Sequence, residues 1–198
     1  PSLFFEDFDI DEVTSSFNTF DSEKVIIKPT VGANADKIMI IKKSDTMDKL
    51  KKTKDTYENR TFILQPFINS IKKDGEMSLI FFNRSFSHGL SKVPKKGDFR
   101  VQDDHGGRVE KYIPSLNEIR FAEKCVSKCI ELPLYARVDL IYDNENNLSL
   151  SEIELIEPEL WFRLKNGSAD LLSEKIMLEI DIKPKIILTG GLSKVVQP

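Results

Sequence analysis

Cysteine is scarce in this sequence. Only Cys125 and Cys129 occur, at helical spacing within Leu116 to Leu132, and with no histidine beside them they supply neither a zinc-ligand set nor a disulfide framework. Reduced, packed thiols in a cytoplasmic protein are what such usage implies. The two histidines, His88 and His105, fall in stretches that read as surface loops, although His105 beside Gly106 and Gly107 is placed to line a substrate mouth. No serine or cysteine triad is evident. An excess of positive charge is also lacking: the net charge is −3 with both signs interspersed, so no basic field points to nucleic acid. The run Lys49-Leu-Lys-Lys-Thr-Lys54 reads instead as the wet face of a helix. Signal peptide, internal repeat and any apolar run long enough to span a bilayer are absent from the pattern, which excludes a membrane partner.

What is present is enough for a substantial core. A chain of 198 residues suits one domain or two small subdomains sharing a cleft. The segment Pro1 to Glu23 is rich in phenylalanine and acids with little clean periodicity, and reads as helix and loop. Lys24 to Pro29 is a short apolar strand, followed by the small-residue loop Thr30 to Asp36 and a strand from Lys37 to Ile41. A helix capped by Ser44 then runs through Tyr57 with Met47 and Leu50 inward. Thr61 to Phe67 is a strand interrupted by Pro66, Met77–Asn83 and Ser85–Ser91 form a hairpin, and Lys92 to Gly107 is a long polar loop. Ser115 opens the helix that carries the cysteines, and Ser168 to Ile176 is the last helix. Strands and helices mixed in this order predict an α+β fold.

The stretch between Arg137 and Pro158 poses a question. Alternation places Arg137, Asp139 and Ile141 on one face of a first strand, and Leu148, Leu150, Glu152, Glu154 and Ile156 on one face of a second, around a polar turn from Asp143 to Asn147. Centring the hairpin between Glu145 and Asn146 sets Asp139 opposite Glu152, Arg137 opposite Glu154 and Ile141 opposite Leu150. Acids facing each other repel unless something positive lies between them. A solvated acidic hairpin is one solution; a divalent cation such as Mg²⁺, bound by Asp139, Glu152 and Glu154 together with the phosphates of a nucleotide, is the other.

With Arg137-Val-Asp139, Glu152-Ile-Glu-Leu-Ile-Glu-Pro158 and Phe99-Arg-Val-Gln-Asp-Asp-His-Gly-Gly107 in view, the chain resembles the ATP-grasp superfamily from about Val25 to Ile176. The wording is nearest to glutathione-synthetase-like ligases associated with cycloserine biosynthesis. Glu154 stands where many members have asparagine. The resemblance implies two α+β subdomains gripping a nucleotide, here 1–66 as the small lid subdomain and 67–180 as the large one with the metal site, leaving 181–198 unassigned except for a strand from Lys185 to Thr189. It also implies an additional N-terminal substrate domain, which this sequence does not include.

The activity implied is that of a ligase using ATP and Mg²⁺ to activate a carboxylate as an acyl phosphate for attack by an amine. A nucleotide-binding module without turnover and a small-molecule kinase are the alternatives. Lys28 matches the lysine that meets the nucleotide phosphates, and Gly32 lies in the phosphate-covering loop, which has fewer glycines than most. Gln65, Phe67 and Ile68 match the hinge beside adenine, with Ile63, Phe67 and Phe82 against the ring. Asp139, Glu152 and Glu154 match the metal ligands, and Lys92, Arg100 and Arg137 are the basic partners of the transferring phosphoryl group. Partners are therefore small-molecule carboxylate and amine substrates; a homodimer is one assembly the sequence permits.

Overall fold

The computed structural model describes residues 1–32, 35–95 and 106–180, together with the backbone of two strands at 186–188 and 194–196. The chain divides into two compact units, Pro1–Asn69 and Ser70–Pro198.

The first unit is a four-stranded antiparallel sheet in the order β1-β4-β2-β3, from β1 (Leu3–Phe5), β2 (Lys24–Pro29), β3 (Met39–Lys42) and β4 (Phe62–Pro66). Helices α1 (Ile10–Thr19) and α2 (Met47–Tyr57) supply its other apolar faces. Asp9 caps α1 by accepting the Glu12 N–H at 2.9 Å, and Asp11 and Glu12 favour the positive end of the helix dipole. Val13, Phe17, Val25, Ile27, Ile41, Leu50, Tyr57, Phe62 and Leu64 form one buried cluster. Phe62 is its centre, stacked on Phe5 with ring centroids 5.2 Å apart and edge-on to Tyr57 at 5.4 Å.

Three expectations need correction here. The opening segment contains β1, paired antiparallel with β4; with three residues it is too short to show alternation. Thr46 caps α2, accepting from the Lys49 N–H, in place of Ser44. Met47 is 53% exposed, because a helix beginning one residue after Thr46 turns its first position outward.

The second unit carries a five-stranded antiparallel sheet in the order β7-β6-β5-β8-β9: β5 (Glu76–Phe82), β6 (Ser85–Val93), β7 (Arg108–Tyr112), β8 (Tyr135–Tyr142) and β9 (Leu148–Glu154). Helix α3 (Leu116–Val126) packs on one face over Met77, Leu79, Phe81, Ala136, Val138 and Leu140. Its start is a full capping box, with the Ser115 hydroxyl accepting the Glu118 N–H and the Glu118 carboxylate accepting the Ser115 N–H. The helix ends at Val126, so Cys125 is its last-turn residue and Cys129 lies beyond it. On the other face Ile80, Phe82, Leu90, Leu160 and Trp161 form a separate cluster, joined by Leu171 and Leu172 of α4 (Ser168–Glu179). The polar loop expected from Lys92 begins later, since Lys92 and Val93 belong to β6, and β7 follows it. In the tail, β10 (Ile186–Leu188) pairs antiparallel with β11 (Lys194–Val196).

Candidate active site

Two β-bulges decide which side chains share a face. On β9, Asp139 pairs with Glu152 and Arg137 with Glu154, but Leu140 pairs with Leu150, so Ser151 is the extra residue. Beyond it Ile141 lies opposite Ser149, which corrects the expected pairing of Ile141 with Leu150. The shift also separates what simple alternation had put together: Leu148 joins the apolar cluster under α3, while Glu152 and Glu154 take the opposite face with Asp139. On β6 the extra residue is Ser87, since Ile80 pairs with His88 and Phe81 with Phe86. That bulge turns His88, Leu90 and Lys92 to the same face as Glu76, Ser78 and Asp139.

The result is a charged cluster under a tryptophan. Lys92, itself buried, forms an ion pair with Glu76 and a second with Asp139 at 3.1 Å. Arg137 Nε donates to both Asp139 oxygens, at 3.0 and 3.2 Å, while its Nη2 pairs with Glu154 and lies 3.7 Å from Glu152. Ser78 Oγ donates to Asp139 Oδ1 at 2.5 Å, and Ser151 Oγ donates to Glu76 Oε2 at 2.9 Å. The Trp161 ring lies 5.8 Å from the Lys92 ammonium and 5.7 Å from the Arg137 guanidinium. Trp161 holds this place with a left-handed backbone, φ 44°, and its N–H donates to Glu159 Oε1.

Electrostatics follow from the packing. Burial pulls the Lys92 ammonium down, but the Glu76 and Asp139 carboxylates outweigh it and hold Lys92 above its ordinary value. Burial likewise works against the Arg137 cation and is outweighed by Asp139, Glu154 and Glu152. Burial pushes the Glu154 carboxyl up, and its acidic neighbours Glu152 and Asp139 add to the rise against the pull of Arg137. His88 is buried on β6, not in a surface loop: its Nε2 faces the Leu160 carbonyl at 3.0 Å, which can only accept, so Nε2 carries the proton and Nδ1 accepts from Ser87 Oγ. Burial keeps its pKa below the ordinary value.

Of the expected site residues, Lys92, Arg137, Asp139, Glu152 and Glu154 are brought together. The three carboxylates are grouped around the Arg137 guanidinium, and among the described residues no group of three metal-ligating side chains stands at metal-holding distance. The donor set itself, carboxylate oxygens without sulfur or imidazole, suits Mg²⁺. In the first unit, Lys28 pairs with Ile63 and Ile26 with Gln65. All four lie on the sheet face opposite the buried Val25, Ile27, Phe62 and Leu64, beside Phe4, which is 70% exposed. Gln65 Nε2 donates to Ser2 Oγ at 2.8 Å. Phe67 is buried and its N–H donates to the Lys24 carbonyl, Ile68 is half-buried, and Gly32 is exposed. Phe82 is fully buried in the second unit, against Phe162 and His88. Arg100 and His105 lie outside the described residues.

Glu76, Ser78, Ser151 and Trp161 were not anticipated. A signal for Glu76 and Ser78 existed: alternation along Glu76-Met-Ser-Leu-Ile-Phe-Phe82 puts both polar residues on one face of an otherwise apolar strand. Trp161 offered only that it is the single tryptophan.

Two antiparallel units, the second with an acid- and base-lined sheet face, define the class as ATP-grasp. The profile of the prokaryotic glutathione synthetase ATP-grasp domain matches residues 9–159, and the chain belongs to that family. Solved structures share the fold. D-cycloserine synthetase DcsG superposes with a TM-score of 0.74 at 18% identity, over 91% of this chain and 64% of that one. The ATP-grasp ligase PsnB, complexed with minimal precursor, Mg and ADP, gives 0.62 at 14% identity, over 88% and 52%. A D-alanine–D-alanine ligase from Bacillus anthracis gives 0.59 at 15% identity, over 91% and 60%. The chain thus spans less than two thirds of each of these proteins. No curated protein sequence is significantly similar to it.

Proposed function

We propose that this chain is the ATP-grasp part of a cytoplasmic ligase that uses ATP and Mg²⁺ to join a small-molecule carboxylate to an amine. The observation that carries the reading is the charged face of the second unit, where Arg137 and Lys92 are held among Asp139, Glu152, Glu154 and Glu76. A carboxylate oxygen attacks the γ-phosphorus and ADP leaves; the amine then attacks the acyl carbon, loses a proton and expels inorganic phosphate. Neither step needs a protein nucleophile, so the protein's work is positioning and charge stabilisation.

Arg137 and Lys92 supply positive charge to the transferring phosphoryl group and the acyl phosphate, joined by Arg100. Lys28 meets the nucleotide phosphates under the loop that contains Gly32. Gln65 receives the adenine amino group, with Phe67 and Ile68 as the apolar surround; Phe82, fully buried in the second unit, is core instead. Asp139, Glu152 and Glu154 would hold Mg²⁺, which when bound neutralises phosphate charge. The DcsG, PsnB and D-alanine–D-alanine ligase folds support a ligase over a non-catalytic module.

The test is ADP release from ATP in the presence of panels of amino acids and hydroxy acids. The expected result is release that needs Mg²⁺, a carboxylate and an amine together, with a ligated product. A stable phosphorylated product with no ligation would replace the ligase by a kinase, and tight nucleotide binding with no turnover on any panel would leave a binding module.

A further inference from the structure

The oxygens of Asp139 are already engaged. Three donor groups reach them: Ser78 Oγ at Oδ1, Lys92 Nζ at Oδ2, and the single Arg137 Nε–H, shared between both oxygens. A carboxylate offers about four lone-pair positions, so little of it is left for a metal. The same guanidinium also pairs with Glu154 and lies 3.7 Å from Glu152. One cation therefore stands among all three of the carboxylates that the proposed function assigns to Mg²⁺. The guanidinium cannot deprotonate to make room. Metal–oxygen distances of about 2.0–2.1 Å leave no space for N–H groups bridging the ligands.

We infer that Arg137 is the resident counter-cation of this site and exchanges with the incoming metal, so that divalent ions bind only when Arg137 swings away. This inference rests on the metal-site reading above. Lys92 is the less suited of the two cations to make way: it is buried, shares its charge with Glu76, and touches neither Glu152 nor Glu154 in the ion pairs formed. Arg137 has its backbone fixed between Ile80 and Glu154 in the sheet, so the exchange is a side-chain movement. Its departure from Asp139 is also what frees the guanidinium for a phosphoryl or acyl-phosphate oxygen, which couples metal loading to arming of the catalytic charge.

Mn²⁺ alone is the probe, followed by loss of its free electron-paramagnetic-resonance signal, with and without ADP. The wild-type chain should bind Mn²⁺ weakly without ADP and tightly with it. Arg137→Gln should bind Mn²⁺ without ADP about 10-fold or more tightly than wild type, since one positive charge has left the ligand set, and Asp139→Asn added to it should abolish the gain. Lys92→Met should show no such gain. If Arg137→Gln gains nothing while wild type still binds Mn²⁺ with ADP, the exchange is wrong and the metal site stands; a gain in Lys92→Met alone also overturns the exchange. If no form binds Mn²⁺ under either condition, the metal-site reading fails and takes the exchange with it.

A measurement on the wild type needs no variant to fold. Trp161 lies beside the Arg137 guanidinium and is the only tryptophan, so Mg²⁺ added to the ADP-bound protein should change its emission. An emission unaffected by Mg²⁺ would mean that Arg137 has not moved.

Discussion

Glu76 shows what a single buried carboxylate does when it is the counterion of a buried lysine. One of its oxygens faces Lys92 and the other accepts from Ser151, so neither is left without a partner. Glu152, on the same sheet face, has a side chain 61% exposed and, among the described residues, no nearer cation than Arg137 Nη2 at 3.7 Å. The two acids should therefore respond in opposite ways to truncation. Glu76→Ala leaves the Lys92 charge buried with Asp139 as its remaining carboxylate, and breaking such a pair costs about 3–5 kcal/mol. Glu152→Ala should change stability by less than about 0.5 kcal/mol. Urea denaturation of the two variants beside the wild type measures both, and equal effects would mean that burial does not separate the structural acid from the functional one.

Among the elements, α3 ties the apolar face of the second sheet to its own start. Glu118 accepts from the Ser115 backbone and hydroxyl, and from the hydroxyls of Tyr112 on β7 and Tyr142 on β8 at 3.0 Å. Burial works against its charge, yet these hydrogen bonds outweigh it and lower its pKa. A carboxyl with a depressed folded-state pKa contributes stability that is present in full above its unfolded value, about 4.3, and lost as pH falls through the folded value. Glu118→Gln keeps the cap geometry without the charge. Its thermal midpoint should lie below that of wild type at pH 7, and the two should converge as pH falls below about 4.3 and through the folded-state value. A gap independent of pH would remove the charge from the account. The cap itself was legible in the sequence, because Ser115 and Glu118 stand three apart before an apolar run. The bulges were not. Ser87 and Ser151 each add one residue to a strand whose polar and apolar residues still alternate on paper, and only cross-strand pairing shows that the faces have exchanged. The turn is centred on Glu145, with Tyr142 opposite Leu148, so a register centred between Glu145 and Asn146 is one residue off beside it; the extra residue Ser151 restores that register and sets Asp139 opposite Glu152, whereas Leu148 and Leu150, on the turn side of Ser151, were assigned to the wrong face.

At the scale of the whole molecule, folding and ligand binding are one linked equilibrium, which makes Glu152 testable without a known substrate. Its exposure means that Glu152→Gln should leave the metal-free protein within about 0.5 kcal/mol of wild type. A ligand at about 100 times its Kd stabilises the folded state by about 2.7 kcal/mol, and the same concentration at a tenfold weaker Kd by about 1.4 kcal/mol. If Glu152 contributes charge to a bound Mg²⁺, the variant should lose at least that difference when melted with MgADP. It should respond like wild type to ADP alone. Trp161, the single tryptophan, lies in the unit that carries Glu152, so its fluorescence follows the unfolding of the relevant half. The opposite pattern, a sharp drop in metal-free stability with an intact MgADP shift, would make Glu152 a structural partner of Arg137 and leave Asp139 and Glu154 as the acids available to a metal.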